Sequence, residues 1–309
     1  MALIERVKFS DLNIQKIKTW RGRLCLIVSN KNQDAAYIGE IDKLLDGRLK
    51  QSLKSDEFEK LHYGESIVLS HPVGLKSAEL QIVKIEINSS VQQCRLVGGT
   101  IASSSNKGSI MLIAAPDENT VEILYGFFLK AYKFDYLKSK PLETIQNLIV
   151  MDLKFASLKV KYKSVKSLLK GVYFCRDLVN EPGNILNTIE FARRLKLLEN
   201  YGLRVEVLEE EQLDRLGMRA LLAVGQGSDC PSKVVVISWQ GGKKEEEPLL
   251  LVGKGVVFDS GGISIKPSGG MEEMVMDMGG AAVVSGTMKT LALRPVSYTH
   301  LTLPTILLV

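Results

Sequence analysis

The chain has 309 residues, 45% of them hydrophobic and 24% charged, with 26 Gly and 9 Pro in no period; this excludes disordered, collagenous and low-complexity classes and suggests two domains. Forty basic residues stand against 35 acidic ones, and the net charge of +5 is spread along the chain rather than gathered in an arm, which argues against strong nucleic-acid or membrane-surface binding. Cysteines 25, 94, 175 and 230 show no CxxC spacing and read as reduced thiols, no apolar run reaches membrane-span length, and Met1–Ser10 lacks a secretory-signal pattern, so the expected location is cytoplasmic.

Over the first 115 residues, Leu24–Val28, Ser66–Leu69, Leu80–Ile87 and Ile110–Ala114 are apolar runs or alternations bounded by turn residues, and predict short strands. Asn119 stands three residues before Glu122 and opens a helix predicted over Thr120–Leu137, with Val121, Leu124, Phe128 and Ala131 at helical spacing. The aromatic residues from Tyr125 to Tyr136 on that helix read as packing rather than as a base-stacking surface. Lys138–Pro141 predicts a linker and Ile145–Leu153 a strand. Helix and strand then alternate. A helix over Ser164–Val179 is stopped by Glu181-Pro182-Gly183, and Thr188 caps a second over Ile189–Asn200. Leu203–Leu208, Lys233–Trp239 and Pro248–Val252 predict strands, Glu211–Leu216 a short helix, Lys243–Glu247 a charged turn, and Gly279–Leu293 a last helix. The fold class is α/β: an N-terminal α/β domain over 1–140 and a second over 141–294 with a central, largely parallel or mixed sheet. Residues 295–309 stand apart as a β-branched tail with no partner strand after it and an apolar end.

The chemistry concentrates in Leu250–Ala282. A phosphate loop GxxxxGK(S/T) fails, because position 248 is Pro and position 255 is Gly. A GxGxxG fingerprint is met by Gly253 and Gly255 but not by Phe258. The third reading is a metal site. Asp259 and Asp277 are hard oxygen ligands on separate segments, suited to Mg, Mn or Zn, with Lys254 and Lys266 beside them. Each has a plainer role alone, as a solvated lysine, a turn former or a first-turn acid; their combination within one short stretch favours the metal. His62, His71 and His300 form no HExxH or spaced cluster, Trp20 and Trp239 read as packing, and Cys175 lacks the surroundings of a thiolate nucleophile.

The string VGKGVVFDSGGISIKPS, continued by Met274 and MDMGGAA, closely resembles the metal-binding segment of the leucyl aminopeptidases, the cytosol aminopeptidase family. Arg176–Asn184 and Leu216–Ser228 resemble further stretches of that family, and matching runs extend from about Gly126 to Leu293. The resemblance implies a two-metal aminopeptidase whose catalytic domain is the second one. Lys254, Asp259 and Asp277 match metal ligands, and Lys266 matches the catalytic lysine that polarises the substrate carbonyl and steadies the tetrahedral oxyanion. Met274 matches a substrate-binding position lining the first side-chain pocket, where a thioether suits a leucine-like residue. An amine ligates metal only as the neutral base, so burial and two divalent cations would have to strip the Lys254 proton. The implied cofactors are two divalent ions, Mn or Zn with Mg as a further candidate, plus the family's bicarbonate. The implied partners are peptide substrates and further copies of the chain in a homo-hexamer.

The family's second motif, Asn-Thr-Asp-Ala-Glu-Gly-Arg, is not found in this sequence. It brings two more acidic ligands and the arginine that holds bicarbonate. The expectation is therefore a leucyl aminopeptidase lineage in a C-terminally truncated chain that is inactive or nearly so, poorly soluble, and ended by an artefactual tail. The alternatives are a non-catalytic DNA-binding or regulatory role, against which the even charge speaks, or a dead subunit of a family oligomer.

Overall fold

A computed structural model describes residues 3–29, 32–86, 88–104, 108–114, 119–140, 142–240, 247–294 and 302–308. It divides into two compact units, Met1–Val165 and Lys166–Val309.

The first unit is a six-stranded sheet in the order β1-β6-β5-β2-β4-β3, built from β1 (Val7–Ser10), β2 (Arg23–Val28), β3 (Ser66–Ser70), β4 (Glu79–Lys84), β5 (Gly108–Ile113) and β6 (Ile145–Met151). All pairs are parallel except β3 with β4. The strands buried on both faces read as unbroken apolar runs, as in Leu24–Val28, which the sequence shows directly. Helices α1 (Ile14–Thr19), α2 (Ala36–Leu44), α3 (Arg48–Leu53), α4 (Asp56–Glu59), α5 (Val91–Ser103) and α6 (Thr120–Ala131) complete the unit. A strands-only reading of the first 115 residues is therefore incomplete. Four of the missed helices span nine residues or fewer, and α5 carries Gly98 and Gly99 in its middle. The core gathers Leu24, Leu26, Ile38, Ile41, Leu80 and Ile113.

Helix α6 stops at Ala131, not Leu137, because Tyr132 turns extended at ψ 134°. Phe134 and Tyr136 stack edge to face beyond it, with ring centroids 5.5 Å apart. Asn119 caps without a side-chain bond to the helix; its amide donates to the Ser89 carbonyl instead. The division at Val165 lies beyond the 140/141 boundary read from sequence, because β6 pairs between β1 and β5 and draws the residues after the linker into the first unit.

Helix α7 (Phe155–Asn180) is longer than the predicted Ser164–Val179 and leads into the second unit. There follow α8 (Thr188–Lys196), β7 (Arg204–Leu208), α9 (Glu210–Arg215), α10 (Arg219–Gly225), β8 (Val234–Gln240), β9 (Leu251–Lys254), a 3-10 turn (Met271–Met276), α11 (Gly279–Leu293) and β10 (Thr302–Leu308). The cap of α8 is Asn187, whose side chain accepts from the Glu190 N–H; the Thr188 hydroxyl donates to Pro231 O. The sheet is mixed, in the order β7-β8-β10-β9, with β9–β10 parallel and the other two pairs antiparallel. The run read as an unpartnered tail thus holds β10, whose partners β8 and β9 precede it in the chain. The core beneath joins Leu178, Phe191, Val235, Ile237, Ala281 and Met288. His300, Pro141 and residues 243–246 of the charged turn lie outside the described residues.

Candidate metal centre

Strand β9 ends at Lys254, and the chain leaves it through Gly255 into a loop that returns to the 3-10 turn, Asp277 and α11. Strand and helix start touch directly. A Cβ on Gly253 would lie 2.5 Å from Gly280 O, and one on Gly280 would lie 2.9 Å from Lys254 N. Only glycine at both positions lets β9 carry its lysine against the turn that carries Asp277.

Lys254 Nζ lies 2.7 Å from Asp277 Oδ1, with the two side chains 58% and 17% exposed. The expected burial of Lys254 is not what the structure has; its charge is matched by a carboxylate rather than hidden. Asp277 Oδ2 is buried and has no hydrogen-bond partner. An ionised carboxylate oxygen in that state is costly unless a cation or donor meets it.

Earlier in the same segment, before the 3-10 turn, the loop closes on itself. The Lys266 N–H donates to Ser260 O at 2.9 Å, and Gly261 and Gly262 take the left-handed region at φ 89° and 67°. Asp259 Oδ1 accepts the Gly261 N–H at 2.9 Å, while Asp259 Oδ2 lies 2.8 Å from Lys266 Nζ. Lys266 Nζ also donates to Asp259 O at 2.9 Å and to Met274 Sδ at 3.0 Å. The Lys266 hydrogen bond first, then the Gly261 N–H and the charge of Lys254, hold the Asp259 carboxyl below its ordinary range.

All five residues named from sequence thus fall in one place: Lys254 with Asp277, Lys266 with Asp259 and Met274, and Lys254 close enough to act on Asp259. Among the described residues no group of three or more His, Cys, Asp or Glu is arranged to hold a metal. Two carboxylates and one amine, with one carboxylate oxygen left open, fit a divalent cation, though they offer fewer donors than two cations take.

Sequence reasoning read Glu181 only as part of a helix stop; it is 8% exposed and receives Arg194 Nη1 on Oε1 at 2.7 Å. It opens the turn in which Gly183 lies against the loop; a Cβ there would be 3.1 Å from Phe258 Cβ, one residue before Asp259. The available signal was an acidic residue directly before Pro-Gly at the end of a helix.

Residues 173–305 match the family model of the cytosol aminopeptidase family, catalytic domain. A "Probable cytosol aminopeptidase" of Cereibacter sphaeroides is 41% identical over 288 residues, covering 93% of this chain and 59% of that protein. One of Dinoroseobacter shibae is 46% identical over 254 residues, covering 82% of this chain and 52% of that protein. Among solved structures, a tomato leucine aminopeptidase mutant has a TM-score of 0.78 at 24% identity, covering 98% of this chain and 62% of that one. A cytosol aminopeptidase from Coxiella burnetii has a TM-score of 0.72 at 22% identity, covering 98% and 60%. These structural likenesses carry the α/β fold. The likeness to the cytosol aminopeptidase family thus lies over residues 173–305 in the family model, and the chain spans just over half the length of the curated relatives it matches. No helix among the described residues is long and apolar enough to cross a membrane.

Proposed function

We propose that this chain carries part of a metal-dependent aminopeptidase, cytoplasmic and oligomeric as in its family, that releases N-terminal residues from peptides, leucine-like ones preferred. The observation that carries the reading is the buried, partnerless Oδ2 of Asp277 on a carboxylate paired with the Lys254 amine, whose charge also acts on Asp259. Those three residues would hold divalent cations, with Mn and Zn the favoured ions and Mg the third. When bound, such cations supply Lewis acidity and an activated water. Lys254 serves as a ligand only once its amine is neutral, so loading releases a proton. Lys266 would place its ammonium on the substrate carbonyl oxygen and hold the negative charge that develops there. Met274 would meet the side chain of the residue being released, and its flexible thioether suits unbranched and leucine-like groups.

The test measures Mn-dependent release of leucine from a leucyl peptide, with an N-acetylated peptide as control. It compares the 309-residue chain with a chimera in which residues 295–309 are replaced by the remaining length of the Cereibacter sphaeroides relative. The chimera is expected to cleave only the free-amine peptide, and Asp277→Asn in it to lower kcat/KM by about a hundredfold or more. The short chain, with its sparse donor set, is expected to stay near background. An inert chimera would overturn the aminopeptidase reading. A short chain at the chimera's rate would overturn the argument from donor number.

A further inference from the structure

We infer that Lys266 is an internal cation: it competes with a divalent metal for Asp259, and metal loading is the event that frees it for substrate. The inference rests on the metal reading above and adds a regulated order to it. Lys266 Nζ donates to Asp259 O at 2.9 Å and to Met274 Sδ at 3.0 Å, and it is ion-paired with Asp259 Oδ2 at 2.8 Å. These three contacts turn the ammonium toward Asp259 and Met274 rather than toward a substrate carbonyl. Two of the acceptors belong to a residue proposed to bind metal, and the third to the residue proposed to meet the substrate side chain. One amine therefore closes the metal position, the pocket position and itself together.

The loop is built to make this contact. Its turn at Gly261 and Gly262, both at positive φ, brings Lys266 back over Asp259, and the Lys266 N–H seals it on Ser260 O at 2.9 Å. A Cβ on Gly261 would lie 3.3 Å from Lys266 Cγ, so the approach needs glycine there. Charge balances without metal: two ammonium groups face two carboxylates in pairs, Lys254 with Asp277 and Lys266 with Asp259. A divalent cation held by Asp277, whose Oδ2 is without a partner, and by Asp259 would compete with Lys266 for the Asp259 carboxylate. Once it holds Asp259, it repels the ammonium beside it. Lys266 and Met274 then separate, and both become available to a peptide. The metal affinity measured in solution is lowered by the population of the latched form.

The test is the Mn2+ dissociation constant of the 309-residue chain, read from the EPR signal of free Mn2+, for the parent, Lys266→Met, Met274→Leu, Lys266→Arg and Asp277→Asn. Lys266→Met removes the competing cation and should tighten Mn2+ about three- to fivefold, the worth of a half-exposed ion pair. Met274→Leu changes no charge; it removes one acceptor from the latched amine and should tighten Mn2+ about twofold. Lys266→Arg should stay near the parent. Tighter binding in both of the first two variants supports the latch. Tighter binding in Lys266→Met with none in Met274→Leu overturns it, since loss of a nearby positive charge alone explains that pattern. Unchanged or weaker binding in both overturns it while the metal reading stands. If the parent takes up no more Mn2+ than Asp277→Asn, the metal reading fails and the latch with it.

Discussion

Glu190 shows how closely charge is matched in the second unit. Its carboxylate receives Arg193 Nε at 2.6 Å and Nη2 at 2.8 Å, and Arg194 Nε at 2.8 Å, while Arg194 reaches on to Glu181. The Arg193 hydrogen bonds above all, then those of Arg194, pull the Glu190 carboxyl down to about 2. A carboxyl whose folded value is depressed stabilises the fold above its unfolded value and loses that contribution as pH falls through the folded one. Glu190→Gln should therefore lower stability at neutral pH by about 1 kcal/mol or less given the exposure of the pair, read as a lower Tm. The gap to the parent should close between about pH 4.5 and 2; a gap that persists at pH 2 would place the effect elsewhere. At this scale the sequence spoke well where chemistry was contiguous. Lys254, Asp259, Lys266 and Asp277 stand out because lysines and aspartates crowd one glycine-rich stretch, whereas Met274 was singled out only by its match to the family's segment. Which lysine faces which carboxylate was not legible, since that follows from a backbone turn at Gly261 and Gly262. The Glu181 ion pair was overlooked because its partner Arg194 lies past the turn, on α8.

Between elements, glycine sets the closest approaches. Helices α7 and α11 cross at Gly171 and Gly286; a Cβ on Gly286 would lie 2.6 Å from Gly171 O. The Ser167 hydroxyl, one turn earlier on α7, donates to Leu293 O at 2.8 Å and ties the end of α11 to the same helix. Since α11 begins just after Asp277, spreading this crossing would move the helix behind the metal centre. Gly286→Ala should cost about 1–3 kcal/mol, read as a lowered urea midpoint with an unchanged slope. A variant as stable as the parent would show that the crossing yields freely. The long helices and the buried strands were readable from apolar spacing, and α11 was read to the residue. The short helices of the first unit escaped because four to nine residues scarcely complete a periodic pattern. The extent of α6 was overestimated because its aromatic residues continue past Ala131 after the backbone has turned extended.

Each of the two compact units has its own core, one around Leu24 and Ile41 and the other around Phe191 and Val235. The sequence boundary missed the junction because a strand just after a linker can pair backward as readily as forward, and β6 pairs backward. The second sheet depends on β10. Along that strand Pro304 stands opposite Ser238 of β8 and offers no N–H to the ladder. Deleting Thr302–Leu308 would leave β8 and β9 with facing, unpaired edges, and should raise dye binding and self-association relative to the parent. A deleted chain that stays monodisperse and melts sharply would show that the two halves need no strand between them.

The place of β10 also fixes an order of events during synthesis. Strands β7 and β8 can pair as soon as both have emerged, since they neighbour each other in sequence and in space. Strand β9 emerges next but is not the neighbour of β8, and it must wait beside a vacant lane while the loop, the 3-10 turn and α11 are made. During that interval the two glycines that seat β9 on the start of α11 have nothing to close upon. The lysine at the end of β9 and the aspartate ahead of α11 meet only when the nascent chain has grown past both, so the proposed metal centre is among the last parts of the second unit to take shape.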